Sequence, residues 1–225
     1  MRPKIIDAEA GEPITLAECR THLNIYPYEV DSDGVRTHPD DAMILAMLEA
    51  ARVSCEDFTG RAITRKTYEI ALDNFPFSNP QYVPSSLIDA ATSSRNGAIE
   101  LPMPPLVSVV SVMVGDTSDA LMTTDEYLVD DYSQPAKLYP PTGTYWPSIA
   151  SAKNQIKVRY IAGYGVDSDG NIPLPAAIRH AILLALGSMY ANREDVAELL
   201  RGGFATLPNG VESLLRPYRV KLGMA

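Results

Sequence analysis

The sequence predicts an α+β protein, a helical body of about four helices with an antiparallel β domain inserted into it. Three observations predict this. Apolar residues recur at three- and four-residue steps near both ends of the chain. Between residues 64 and 162 the period changes to two. Proline- and glycine-rich breaks separate the two regimes. The division expected is a discontinuous helical body over 1–62 and 173–225, with 63–172 as the inserted β domain.

The first helix is signalled by Thr15 with Glu18 three residues on, a capping box ahead of LAECRTHLNI. Leu16, Cys19 and Leu23 share one face. The second helix begins near Pro39-Asp40-Asp41, with its carboxylates where the helix dipole favours them. Ile44, Leu48, Ala51, Cys55 and Phe58 form its stripe, and Gly60 is the stop.

From residue 64, Tyr68, Ile70 and Leu72 alternate with Thr67, Glu69 and Ala71 as in a half-buried strand. The stretch FPFSNPQYVPSSLIDAATSSRNG, residues 75–97 and nearly all of a loop placed at 76–98, lacks periodicity and is too long for a simple connector. It reads as a mobile or partner-contacting loop. Further strand-like segments follow: AIEL, VSVVSVMVG, DEYLVDD, AKLYP and QIKVRYIAGY. Pro102, Pro104 and Pro105 keep the LPMPPL corner out of any central strand.

Helix returns after Pro173 and Pro175. Ile178, Ile182, Ala185 and Met189 make one stripe, which Leu183, Leu184, Leu186 and Tyr190 widen beyond a single face. Such a helix needs cover on more than one side, and a neighbouring subunit is an expected cover. Asn209 and Glu212 cap a short last helix carrying Val211, Leu214 and Leu215, ended by Pro217.

Composition is that of an ordinary globular protein, 46% hydrophobic and 21% charged over 225 residues. A formal charge of −9 argues against a surface built to grip phosphates, which needs clustered Lys and Arg. An acidic wall that DNA slides past is compatible with it. Cys19 and Cys55 fall on apolar helix faces and read as core residues. No signal-peptide pattern is visible at MRPKIIDAEAG. The longest apolar stretch, AILLALGSMYA, is too short to span a bilayer.

The pentapeptide VDSDG occurs twice, at 30–34 and 166–170, and its spacing is that of a calcium loop opening. With Gly34 at the sixth position, Glu29, Asp31, Asp33 and Asp40 fall at ligand positions between two helices. The eighth position, normally aliphatic, is Arg36. The second copy puts Gly165 and Ala176 at its first and last ligand positions, which supply no side-chain oxygen. Both copies therefore read as solvated turns, with no metal and no cofactor expected. A calcium-stabilised binding module using the loop 29–40 is the alternative. No HExxH, GxSxG, Walker loop or CxxC is present, and the AGYG at 162–165 lacks dinucleotide spacing, so no enzyme is expected.

The ordered stretches PITLAECRTHLNI, DDAMILAMLEAARVSCEDFTGRAITRKTYEIALDNFP, IELPMPPLVSVVSV, VRYIAGYG, PLPAAIRHAILLALGSMYANRED and LPNGVESLLRPYR cover most of the chain. With them it resembles the tailed-phage head–tail connector (adaptor, or head-completion) proteins, in the longer branch with a β insertion. These also occur in prophages and gene transfer agents. The resemblance implies a structural virion protein, made in the bacterial cytoplasm and located in the neck. It implies a ring, typically of twelve copies, under the portal protein. That ring extends the DNA channel and docks the next neck, stopper or tail protein, while genomic DNA passes without sequence-specific binding and no membrane is involved. The residues expected to meet partners are Tyr190 and Arg193 in the TyrAlaAsnArgGlu stretch, and Leu214, Leu215, Arg216, Tyr218 and Arg219 in the tail. Residues 208–225 are expected to touch the portal or a neighbouring subunit. The VDSDG segment before the second helix and the 76–98 loop exceed the family pattern.

Overall fold

A computed structural model of the protein describes residues 3–8, 11–26, 29–30, 36–76, 97–115, 121–149, 153–165, 172–192 and 207–220. Most of both VDSDG segments, of the 76–98 loop and of the link 193–206 lies outside them. The fold is α+β, and the chain divides into two units. Ala10–Thr64 with Tyr164–Arg219 is helical, and Met1–Glu9, Arg65–Gly163 and Val220–Ala225 make up the other.

In the helical unit α1 spans Leu16–Leu23 and opens on Thr15, whose hydroxyl accepts from the Glu18 N–H at 3.2 Å. It ends on Asn24 in the left-handed region (φ 57), with the Ile25 N–H donating back to the Arg20 carbonyl at 2.9 Å. That pattern satisfies carbonyls the helix end would otherwise orphan. A two-stranded hairpin follows, β2 (Glu29–Val30) against β3 (Arg36–Thr37). Helix α2, Asp41–Thr59, buries Ile44, Leu48, Ala51 and Cys55 completely and stops at Gly60 (φ 67), as its stripe and its glycine predict. Helices α3 (Ala176–Ala191) and α4 (Asn209–Leu215) complete the unit. Ile14, Cys19, Ile44, Leu48, Ile178, Ile182, Leu186, Val211 and Leu215 share one core.

The other unit is antiparallel throughout. Its larger sheet has the order β1-β4-β9-β6, with β1 Lys4–Ala8, β4 Lys66–Leu72, β6 Leu106–Val114 and β9 Ile156–Ala162. The predicted alternation holds along the two central strands: Tyr68 and Ile70 of β4, and Ile156, Val158, Tyr160 and Ala162 of β9, all face inward. A three-stranded sheet, β5-β8-β7, is formed by Ile99–Leu101, Ala136–Tyr139 and Leu128–Asp130.

The proline corner between β5 and β6 is fastened to β9. The buried Tyr160 hydroxyl donates to the Pro102 carbonyl at 2.8 Å, and the Gly163 N–H to the Pro105 carbonyl at 2.9 Å. A second fastening closes the base of the long loop. Phe75 stacks on Trp146 with ring centroids 4.7 Å apart, and the indole N–H donates to the Gly97 carbonyl at 2.7 Å. Pro76 and Gly97 meet so closely that a Cβ on Gly97 would lie 2.2 Å from the Pro76 oxygen.

Three expectations need correction. Residues 4–8, which show no readable period, form β1, and every one of its side chains is exposed. The apolar width of α3 does not require a second subunit. Helices α1, α2 and α4 all pack on it within the same unit, and no large apolar side chain of this fully described helix is exposed. The last helix is not capped by Asn209, which lies inside it after an N-cap at Pro208 with no side-chain cap bond; it does stop ahead of Pro217, at Leu215, and a 3-10 turn at Arg216–Tyr218 follows.

The Gly97 contact sets up a paired test. Gly97 has φ +58 and no room for a Cβ, whereas Gly210 in α4 has open space around it. Gly97→Ala is expected to destabilise the protein by about 1–3 kcal/mol. Gly210→Ala is expected to stabilise it by roughly 0.4–1 kcal/mol through the unfolded chain. Thermal or urea melts of the two variants check this.

Candidate functional site

A buried polar cluster of the helical unit lies toward the exit of α2. Arg52 and Glu56, one turn apart, are both buried and pair at 3.2 Å. Arg52 also reaches Glu12, ahead of α1, at 2.8 Å. Burial works against the Arg52 charge, and Glu12, Glu56 and Glu49 outweigh it, so the guanidinium titrates above its ordinary value. The other oxygen of Glu56 accepts from the Ile63 N–H at 2.8 Å and the Thr64 N–H at 3.4 Å. A carboxylate thus caps backbone beyond its own helix.

The tail closes on the same exit. Arg61 Nε donates to the Tyr218 carbonyl at 2.6 Å, and the Arg219 guanidinium sits 5.5 Å from the centre of the Phe58 ring. Thr64 and Tyr164, which end one segment of this unit and begin the next, are bridged in parallel. Burial raises the Tyr164 hydroxyl's pKa, against the pull of Arg61.

The tail residues expected to meet partners divide by burial. Leu215 is fully buried and Leu214 packs against the core, so both are used within the chain. Tyr218 is half-buried, while Arg216 and Arg219 are exposed. Tyr190 packs against the core and its hydroxyl donates to Asp40 at 2.6 Å. Two candidates from different readings, a partner contact and a metal ligand, therefore bond to each other. Arg193 lies outside the described residues.

Of the possible calcium ligands, Asp31 and Asp33 also lie outside them. Glu29 belongs to a hairpin, opposite Thr37, with Val30 opposite Arg36. Among the described residues no group of three or more His, Cys, Asp or Glu side chains is placed to hold a metal ion. The two cysteines are free and buried; burial, with Glu18 and Glu56 nearby, pushes Cys19 up to about 11 and Cys55 to about 12. Neither is a nucleophile at neutral pH. A notch at the end of α1 is lined by Ala17, Arg20, Thr21, Asn24, Ile25 and Tyr26. Its guanidinium is already paired with Asp41 and its tyrosine hydroxyl bonds Asn24 at 3.2 Å, which leaves no acid or base poised for a reaction there. No helix among the described residues is long and apolar enough to cross a membrane.

Sequence reasoning missed the Arg52–Glu56 pair. The signal was present in the sequence: two opposite charges four apart, interrupting the apolar stripe of α2.

No protein-family model matches this chain, and no curated protein is similar to it. Solved structures are. A chain from the neck of an empty gene transfer agent particle, solved with C6 symmetry, superposes with a TM-score of 0.68 at 20% identity, covering 99% of this chain and 98% of that one. A chain from the virion of a native gene transfer agent particle gives 0.66, also at 20% identity and with the same coverage. One from the native neck, solved with C12 symmetry, gives 0.64 at 20% identity over the same shares. The protein thus shares, over nearly its whole length, the fold of chains found in these particles.

Two outcomes follow from the site. Glu56→Ala leaves the Ile63 N–H and Arg52 without their buried partner, and a loss of about 3–5 kcal/mol is expected. Glu49→Ala, at an exposed carboxylate 3.9 Å from Arg52, is expected to cost under about 1 kcal/mol. Chemical denaturation of both variants checks the pair. The second outcome concerns acid. Arg20 holds the Asp41 carboxyl below its usual range, helped by the His38 N–H. A depressed folded pKa gives stability that is present above the unfolded value of about 3.9 and is lost as pH falls through the folded value. Melting temperature should therefore fall more steeply on the acid limb in the parent than in Asp41→Asn.

Proposed function

We propose that this chain is a structural neck protein of a phage-type particle, a head–tail connector, and not an enzyme. The observation that carries the reading is the extent of the likeness: 99% of this chain and 98% of the gene transfer agent neck chain superpose, both units included. In this reading the helical unit is the connector body and the sheet unit is its insertion. Copies form a ring under the portal, twelve in the assembled particle, and the ring offers a surface to the next neck or tail protein. Necks solved with six- and twelvefold symmetry support a cyclic arrangement.

The charge suits the role. A ring of chains each carrying −9 repels the phosphate backbone, so DNA passes along the channel without being held. The helical core is fully used within the chain, so contacts to the portal fall on exposed side chains. Among the described residues of the tail, Arg216 and Arg219 are the exposed cations.

Electron microscopy of the purified chain, alone and with the portal of the same particle, tests the role. Rings seated on the portal are expected; a chain that neither forms rings nor binds the portal overturns the reading. The tail contact needs a point substitution, because deleting 208–225 would strip Val211 and Leu215 from the core. Arg216→Glu is expected to leave the melting temperature unchanged. It should lower neck attachment, counted as filled heads bearing a neck, by about tenfold, as for a contact of roughly 1.4 kcal/mol. Normal attachment in that variant removes the tail from the portal contact.

A further inference from the structure

Among the described residues the four-stranded sheet ends on two edge strands, β1 and β6, and they are complementary to each other. Three antiparallel steps separate β1 from β6, so the two edge strands run in opposite directions. When a second copy is set beside the first, edge to edge, its β1 lies antiparallel to the first copy's β6. That is the favoured pairing. The contact joins two different surfaces, which is what a cyclic ring needs and a twofold dimer does not.

Each edge carries bare β-branched residues. Ile5 is 53% exposed on β1 and Val110 is 51% exposed on β6, with Ile6 and Val107 beside them. Strand β1 has no buried side chain, and among the described residues its ladder to β4 is what holds it within one copy. The outer edge of β6 already accepts a strand at its far end. There the Met122 N–H donates to the Val112 carbonyl at 2.9 Å, and Leu121 bridges Met113 antiparallel. Among the described residues the run 106–111 has no neighbour on that side. It is matched in length to the five residues of β1.

The register shifts at Ile6, Val107 and Val110 are bulges. On a lone chain bulges blunt an edge against stray pairing. Where a sheet must close on itself they supply the curvature.

We infer that β1 of one copy pairs antiparallel with residues 106–111 of β6 in the next, joining the four-stranded sheets into one continuous band around the ring. The inference rests on the ring reading above and names the contact that closes it. The dimensions are consistent. At ~4.8 Å per strand, four strands advance ~19 Å per copy, and twelve copies close a circle of roughly 37 Å radius, leaving an opening for a duplex.

The test is disulfide trapping in the full chain. Cys19 and Cys55 are fully buried and do not interfere. Ile5→Cys is combined in turn with Val107→Cys, Ser108→Cys and Val110→Cys, all at exposed positions. Within one copy these sites lie three strands apart, ~14 Å, beyond the ~7 Å a disulfide spans. Oxidation of at least one pair is expected to give a ladder of covalent multimers on non-reducing gels, ending at the ring. The single-cysteine variants should stop at dimers. A ring seen by native mass spectrometry with no ladder from any pair overturns the edge contact and leaves the neck reading standing. A chain that stays monomeric and gives no ladder at high concentration also overturns it. In that case the portal imaging, and not this trap, decides the neck reading. Ladders from the single-cysteine variants would likewise sink it, since pairing would then be non-specific.

Discussion

The helical unit depends on the Glu56 carboxylate, which is buried and yet fully engaged. One oxygen pairs with Arg52 on its own helix, and the other holds the amides of Ile63 and Thr64 beyond the helix end. Gly60 turns the chain out of α2, and Glu56 catches it three residues later. Arg52 neutralises the buried charge and passes the tie to Glu12. A single acid therefore joins the approach to α1, the body of α2 and the strand-bound exit. Desolvating these charges is costly, and only complete pairing makes the arrangement stable. The direction in which the chain leaves the helical unit follows from it.

Much of the fold was legible because periodicity reports burial. The stripe of α2, its glycine stop, the alternation of β4 and β9 and the Thr15 cap can all be read from spacing, and the structure uses each of them. Strand β1 was not legible for the same reason: with both faces exposed, KIIDA has no pattern to show. The width of α3 was read correctly as a need for cover. What the sequence could not tell is that three other helices of the same unit provide it. Sequence distance hides such neighbours, since Val211 and Ile14 share one core from nearly opposite ends of the chain.

The candidate site was less legible, and the reason is chemical. Leu214, Leu215 and Tyr190 look like contact residues in a linear stretch, and all three also serve the helical core, Tyr190 with a bond to Asp40. The stretches that carry the family resemblance behave alike. GRAIT is held by Glu56, LLRPYR by Arg61, and LPMPPL by Tyr160. Each lock involves a main-chain group, so these stretches specify how the chain is fastened. They say little about the side chains presented to a partner, and the exposed residues Ile5, Val107, Val110 and Arg216 lie outside the fastenings.

The shared core of distant segments also bears on synthesis. Ile14 and Cys19 leave the ribosome before the sheet segment, and Val211 and Leu215, which pack in the same cluster, leave it after that segment. The sheet unit, nearly all of it encoded between them, can close as soon as Gly163 has emerged. Until Leu215 follows, the cluster that Cys19 of α1 and Ile44, Leu48 and Cys55 of α2 share with the last helix is incomplete. Such non-local closure is slow and leaves apolar surface open to chaperones, proteases and other nascent chains. A chain halted before the last helix therefore carries a helical unit whose core lacks Val211 and Leu215.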